Sequence, residues 1–301
     1  MKKTSKTILF FGSGPIAAKS LIFLTENFKV EAVITKPKKE HHFGDVPVLD
    51  VTNNLKLPTY TATDKISLEK IFQNNNFQSE MAILIDYGII ISQKIIDYFP
   101  LGIINSHFSI LPEWRGADPI TFAILSGQKE TGVSLMRLNA GMDEGPLLNW
   151  QTISLDKTMT SLDLTEKLID LSNKLIIKTV PTYLANQITP QDQQITKKNI
   201  SYSRKINKSD GNLDFNLPAE QLERQIRAFI DWPKSKTMIH NTPVTVTKAR
   251  VINQSGQPGI FFRYDNQLAV YCYQKALLIE ELIPDSKKKM TSKAFLVGYK
   301  I

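Results

Sequence analysis

Short apolar runs with little polar interruption recur at 7–11, 30–34, 81–85, 102–104 and 132–138. A run without alternation reads as a strand covered on both faces, the pattern of a parallel sheet. Between these runs, apolar residues at helical spacing predict helices at 16–25, 67–73, 93–98 and 119–126, the last with Pro119 in its first turn. Alternating strands and helices predict an α/β fold with a Rossmann-like, doubly wound, mostly parallel sheet. A further strand is predicted at 147–155. The segment 161–188 then places Leu164, Leu168, Leu171, Leu175 and Ile176 at helical spacing, with Pro181 ending or kinking the helix.

From 189 to 207 polar residues take over with few apolar anchors, which reads as an interdomain linker. Beyond it, an amphipathic helix at 218–230 precedes six short apolar segments at 237–240, 244–251, 260–263, 268–273, 276–283 and 294–299. Read as strands, they predict a small β-barrel. The expected organisation is a domain over 1–188, a linker over 189–206 and a second domain over 207–301.

The chain has 301 residues, more than one typical domain and enough for two cores. Its net charge of +8 is unevenly spread: residues 1–189 hold 19 Lys plus Arg and 19 Asp plus Glu, whereas residues 190–301 hold 18 and 10. An excess of one sign confined to one domain points to a polyanionic partner. The single cysteine, Cys272, lies in an apolar run and reads as a buried small hydrophobe without an internal disulfide. The N-terminal basic residues precede too short an apolar run for a secretory signal, so a reducing cytoplasm is the expected compartment and no membrane is expected.

Candidate chemistry gathers at 102–148. The strand ending in Asn105-Ser106-His107 carries two polar side chains two residues apart, and such residues project to the same side. The turn Gly141-Met142-Asp143-Glu144-Gly145 brings a carboxylate to the end of another strand, and a carboxylate beside an imidazole stabilises its protonated form. An amide, an imidazole and a carboxylate make an acyl-transfer site without a metal or a covalent nucleophile. Gly12-Ser13-Gly14-Pro15 lacks the full dinucleotide fingerprint and reads as a tight turn. His41 and His42 point apart on an extended chain with no nearby Cys, so no metal site is expected.

Asn105-x-His107, Ser109-Ile-Leu-Pro112-x-Trp114-Arg115-Gly116-Ala-x-Pro119-Ile120, Glu130-Thr131-Gly132-Val133 and Gly141-Met-Asp143-x-Gly145 together resemble the catalytic domain of the 10-formyltetrahydrofolate-dependent formyltransferases. The stretches Tyr202 to Lys208 and Glu223 to Pro233 are similar to the start of the second domain in the tRNA-directed branch of that family. The resemblance implies a formyltransferase fold followed by an OB-like barrel, and formyl transfer from 10-formyltetrahydrofolate to the α-amine of methionyl initiator tRNA. A monomer is expected. It assigns Asn105 and His107 to the developing oxyanion. Asp143 is expected to raise the imidazole pKa above its reference of about 6.5.

The resemblance places Asp86, Tyr87, Gly88 and Ile89 against the pterin, with an acidic residue at 86 where a small one is usual. It adds Ser109, Ile110, Leu111 and Pro112 to the folate-binding set. Lys36, Lys38 and Lys39 fall in a loop that in the tRNA-directed branch is longer, richer in Arg and reaches the RNA acceptor end. Lys205, Lys208, Arg224 and Arg227 are the expected tRNA contacts in the second domain, although the two arginines could instead brace the fold. Arg115 is either a clamp for its own loop or a contact to folate or RNA. Trp232-Pro233 reads as a turn anchor in preference to a base-stacking platform.

Two other activities share the triad: formyl transfer to a UDP-amino sugar or another small amine, and the purine-pathway formyltransferase, which leaves the last third of the chain without a purpose. A non-catalytic RNA-binding protein on the same fold is the reading from another class; the intact Asn105, His107 and Asp143 argue against it.

Overall fold

A computed structural model describes residues 7–38 and 46–299. Its first elements are β1 (Thr7–Phe11), α1 (Pro15–Asn27), β2 (Lys29–Thr35), α2 (Pro47–Leu55), β3 (Thr59–Thr61), α3 (Lys65–Asn74), β4 (Ala82–Leu84), α4 (Gln93–Ile96) and β5 (Ile103–His107). There follow β6 (Arg115–Gly116), α5 (Pro119–Ser126), β7 (Glu130–Arg137), β8 (Leu147–Ser154), α6 (Ser161–Leu184) and β9 (Tyr202–Ser203). The last third holds α7 (Ala219–Ala228), β10 (Ser235–Ile239), β11 (Thr242–Ile252), β12 (Phe261–Tyr264), β13 (Gln267–Tyr271), β14 (Ala276–Pro284), β15 (Met290–Thr291) and α8 (Ser292–Gly298).

The first sheet has the order β3-β2-β1-β4-β5-β7-β8. Its first five strands are parallel, so β1, β4 and β5 end along one edge, where an open α/β sheet presents its functional groups. Strand β7 runs antiparallel to β5, with His107 opposite Ser134. Apolar pattern cannot give direction, because a strand buried on both faces reads alike either way. Ile8 to Phe11 are fully buried. On one face Phe11 meets Tyr87 edge-on, with ring centroids 5.4 Å apart.

The second sheet is antiparallel, in the order β10-β11-β14-β13-β12 with β15 beside β14, consistent with an OB-like domain. Strand β11 shifts register between Val246 and Ala249, and pairs with both β10 and β14. The apolar face of α7 (Ala219, Leu222 and Ile226) joins Val244, Val246 and Leu277 in one core. The strand expected at 294–299 is instead α8. Thr291 caps it by accepting from the Ala294 N–H, Phe295 is fully buried, and Phe295 and Tyr299, one turn apart, stack at 4.2 Å.

Two compact units emerge. The first takes the described residues up to Pro119 with Glu130–Ile153 and Thr165–Ser203; the second takes Ile120–Lys129, Ser154–Leu164 and the described residues from Arg204 onward. The predicted linker is therefore not a free tether over most of its length. Residues 190–203 belong to the first unit, where β9 pairs with β6 and Gln191 bridges Leu147. Gly116, at φ 113°, permits that approach, since a Cβ there would strike the Ser203 carbonyl. Among the described residues, no helix is long and apolar enough to cross a membrane.

Candidate active site

The C-terminal end of β5 carries the site. Alternation sends Asn105 and His107 to one face and Ser106 to the other, where its hydroxyl lies 2.7 Å from that of Ser172 on α6. Asn105 is 7% exposed and His107 6%. The His107 Nε2 lies 2.9 Å from the carbonyl oxygen of Trp114, which can only accept, so Nε2–H donates there and the ring is held in one orientation. Its Nδ1 faces Asp143 Oδ2 at 3.7 Å.

Asp143 stands at φ 51°, a left-handed conformation in which the turn places its carboxylate between three groups. The Gly116 backbone N–H donates to Oδ2 at 2.8 Å and the Asn105 amide donates to Oδ1 at 3.3 Å. The Asp143 side chain keeps 16% exposure. The three side chains singled out from sequence are thus brought together.

Their support comes from residues that sequence pattern did not single out. Gln193 sits on a single tight helical turn, Gln193–Thr196, in the predicted linker. Its Nε2 donates to the carbonyls of Asp143 (2.7 Å) and Gly145 (2.8 Å), while its Oε1 accepts from Arg115 Nε (3.2 Å) and Nη2 (2.8 Å). Arg115 also reaches Glu144 Oε1 at 3.1 Å, and it is buried, so its guanidinium is engaged by Gln193 and Glu144 within the fold. The backbone N–H of Trp114 donates to Ser201 Oγ and that of Arg115 to the Ser201 carbonyl. No local signal marks Gln193 or Ser201; their partners lie far away in sequence.

The predicted folate contacts divide. Asp86, Gly88 and Ile89 line an open loop at the end of β4, with Ile90 beside them strongly exposed. Although Asp86 reaches the surface, thinned solvation pushes its pKa up to about 6, opposed by the Lys36 charge and reinforced by Asp118. The carboxylate rests on Gly14, where a Cβ would strike it. Tyr87 differs from its neighbours: its ring is buried in the core, its hydroxyl has no hydrogen-bond partner, and burial raises its pKa. Ser109 to Pro112 are all buried. The Ser109 hydroxyl donates to the Glu113 carbonyl, Leu111 packs with Met136 and Leu147, and Ser134 Oγ binds the Leu111 N–H. These four residues shape the turn between His107 and Trp114.

The predicted tRNA contacts divide too. Lys38, Lys205 and Lys208 are exposed, while Lys39, His41 and His42 lie outside the described residues. Lys36 folds over Gly88, its Nζ 2.9 Å from where a Cβ would stand, rather than extending away from the sheet. Arg224 and Arg227 brace the second unit: Arg224 Nε donates to the Leu125 carbonyl, and Arg227 pairs with Glu223 at 2.7 Å and donates to the Met159 carbonyl. Trp232 is 58% exposed, so the anchoring part of Trp232-Pro233 is the buried proline. Among the described residues no group of three or more His, Cys, Asp or Glu could hold a metal.

A doubly wound sheet with an amide, an imidazole and a carboxylate gathered beyond the end of β5 is an arrangement suited to acyl-group transfer. Residues 6–180 match the formyl transferase family model and residues 205–300 the formyl transferase C-terminal domain, so the chain belongs to the formyl transferase family. It is 33% identical to the methionyl-tRNA formyltransferase of Pseudoalteromonas translucida, over 97% of this chain and 93% of that one. It is 36% identical to the methionyl-tRNA formyltransferase of Buchnera aphidicola subsp. Schizaphis graminum, over 84% and 81%. Among solved structures, WlaRD, a sugar 3N-formyl transferase in the presence of dTDP and 5-N-formyl-THF, shares the fold at a TM-score of 0.70 and 22% identity, covering 95% of this chain and 100% of that one.

Proposed function

We propose that this enzyme transfers the formyl group of 10-formyltetrahydrofolate to the α-amino group of methionyl initiator tRNA, with Asn105, His107 and Asp143 as the reacting constellation. The observation that carries the reading is their convergence at the end of β5, in a chain whose full length aligns with methionyl-tRNA formyltransferases. The neutral amine attacks the formyl carbon, a C–N bond forms, and the carbonyl electron pair moves onto oxygen. Asn105 Nδ2 has two N–H groups; one is directed to Asp143, and the other is available to the oxyanion. His107 is anchored through Nε2, so its Nδ1 donates toward the same charge when the ring is doubly protonated. Asp143 balances the imidazolium and takes the proton lost by the amine, directly or through water. Collapse breaks the bond to N10 of the folate, whose electron pair stays on nitrogen and takes up the proton that Asp143 accepted, directly or through water.

The exposed loop at 86–90 is the folate-facing wall in this reading. The second unit supplies the RNA grip through exposed Lys205 and Lys208, with exposed Trp232 offering a stacking face. The deciding experiment incubates the protein with 10-formyltetrahydrofolate and, separately, methionyl initiator tRNA, a UDP-amino sugar and glycinamide ribonucleotide. Formylated methionyl-tRNA is the expected product. Formylation of only the sugar or the ribonucleotide overturns the acceptor assignment.

A further inference from the structure

We propose that Gln193 is a positioning residue for catalysis, acting through the backbone of the turn that carries Asp143. The inference rests on the reading of Asp143 as a group that works on the attacking amine. Gln193 is 3% exposed, and all the hydrogen-bonding capacity of its amide plane is used: two N–H donors to the carbonyls of Asp143 and Gly145, two acceptances from the Arg115 guanidinium. The partners dictate the orientation of the amide, since carbonyls need donors and a guanidinium needs an acceptor. The grip falls on the Asp143–Glu144 and Gly145–Pro146 peptide groups; the first carries Asp143's own carbonyl and so fixes its backbone, and the second closes the turn.

Asp143 needs that grip. Its backbone is left-handed without being glycine, and its carboxylate must reach both the Gly116 N–H and the Asn105 amide from a turn otherwise open to solvent. The same side chain holds Arg115, whose guanidinium ties Glu144 into the turn and whose backbone lies beside Gly116, the donor to Asp143. One glutamine therefore links the carboxylate's own turn with the loop that binds the carboxylate. Gln193 lies on the segment that continues through Thr196, bonded to the Leu111 carbonyl, and Lys198, paired with Glu130, to β9. That segment is anchored independently of Gln193, so a change at 193 alters the turn without freeing the whole strand.

Two variants separate positioning from packing. Gln193→Met keeps the length of the side chain and removes its polar bonds; Gln193→Glu keeps an acceptor for Arg115 and sets an oxygen against two carbonyls. Each is made alone and combined with Asp143→Asn, and formylation of methionyl-tRNA is followed at saturating 10-formyltetrahydrofolate. Both single variants are expected to lower kcat by about ten- to a hundredfold with the KM for each substrate within about twofold, as misplacement of a reacting group requires. In the Asp143→Asn background they are expected to add less than about threefold, because their effect passes through that carboxylate.

A Gln193→Met protein with wild-type kcat, beside an impaired Asp143→Asn, overturns the positioning role while leaving the proposed mechanism standing. Full additivity in the double variant overturns it as well. A fully active Asp143→Asn protein overturns the mechanism itself, and with it the route assigned to Gln193. If Gln193→Met fails to fold, the cycle built on Gln193→Glu decides by the same criteria.

Discussion

The imidazole of His107 is pinned by the Trp114 carbonyl, to which Nε2 donates at 2.9 Å. One ring nitrogen is thereby committed to structure, and the other, Nδ1, is left facing Asp143 at 3.7 Å. Replacing His107 or Asn105 by Ala is expected to lower kcat about a hundredfold or more, the size seen for loss of an oxyanion donor. Folate and tRNA affinity, measured by equilibrium binding, should stay close to wild type. Near-normal kcat in both variants would remove them from the chemistry.

Asp143→Asn retains shape and loses charge. Its new amide can set an N–H against the Gly116 N–H that the carboxylate now accepts at 2.8 Å. Turnover should fall by about a hundredfold, the combined result of a missing proton acceptor and a displaced side chain. Asp143→Glu, which restores charge with a longer reach, should recover only part of it. Steady-state kinetics on the two variants distinguish a chemical role from a turn former, for which both would remain active.

Asp86 offers a test through stability and pH. Thinned solvation raises its pKa from 3.8 to about 6, so the folded protein holds the proton more tightly than the unfolded chain does. The stabilisation this gives is present below the ordinary carboxylate pKa and is lost as pH rises through about 6. Asp86→Asn, neutral throughout, should therefore melt at a higher temperature than wild type near pH 8, with the gap closing below about pH 4. Its partial exposure to water keeps the gap small. A constant difference across that range, read by thermal melts, would show that the carboxyl does not titrate as described.

The second unit should respond differently at its exposed and its committed cations. Affinity for tRNA is expected to fall linearly with salt on logarithmic axes, by about 0.9 per phosphate contact for duplex. Lys205→Gln with Lys208→Gln should flatten that slope, and Trp232→Ala should weaken binding with the slope unchanged. Titrations at several salt concentrations report both.

Arg227→Ala tests the opposite case. Its guanidinium side chain is 13% exposed, paired with Glu223 and bound to the Met159 carbonyl, so its removal should cost about 2 kcal/mol of stability and leave the salt slope alone. Denaturant unfolding measures the loss. A flattened slope with unchanged stability would return Arg227 to the RNA-facing set.

Local pattern by itself determined the doubly wound sheet, the second β-rich domain, the charge excess after residue 189, and the Asn105, His107 and Asp143 trio, because strand alternation and glycine-flanked turns act over a few residues. It could not give the direction of β7, since burial on both faces is silent about polarity. It also misread 294–299, where a cap at Thr291 and an aromatic pair one turn apart outweigh an apolar run. The supposed linker shows the limit most clearly. Gln193, Thr196 and Ser201 look like solvated loop residues, yet they satisfy backbone groups of residues 111, 114, 143 and 145. Such bonds join residues 48 to 87 positions apart, and only the folded chain decides which polar side chains meet which carbonyls.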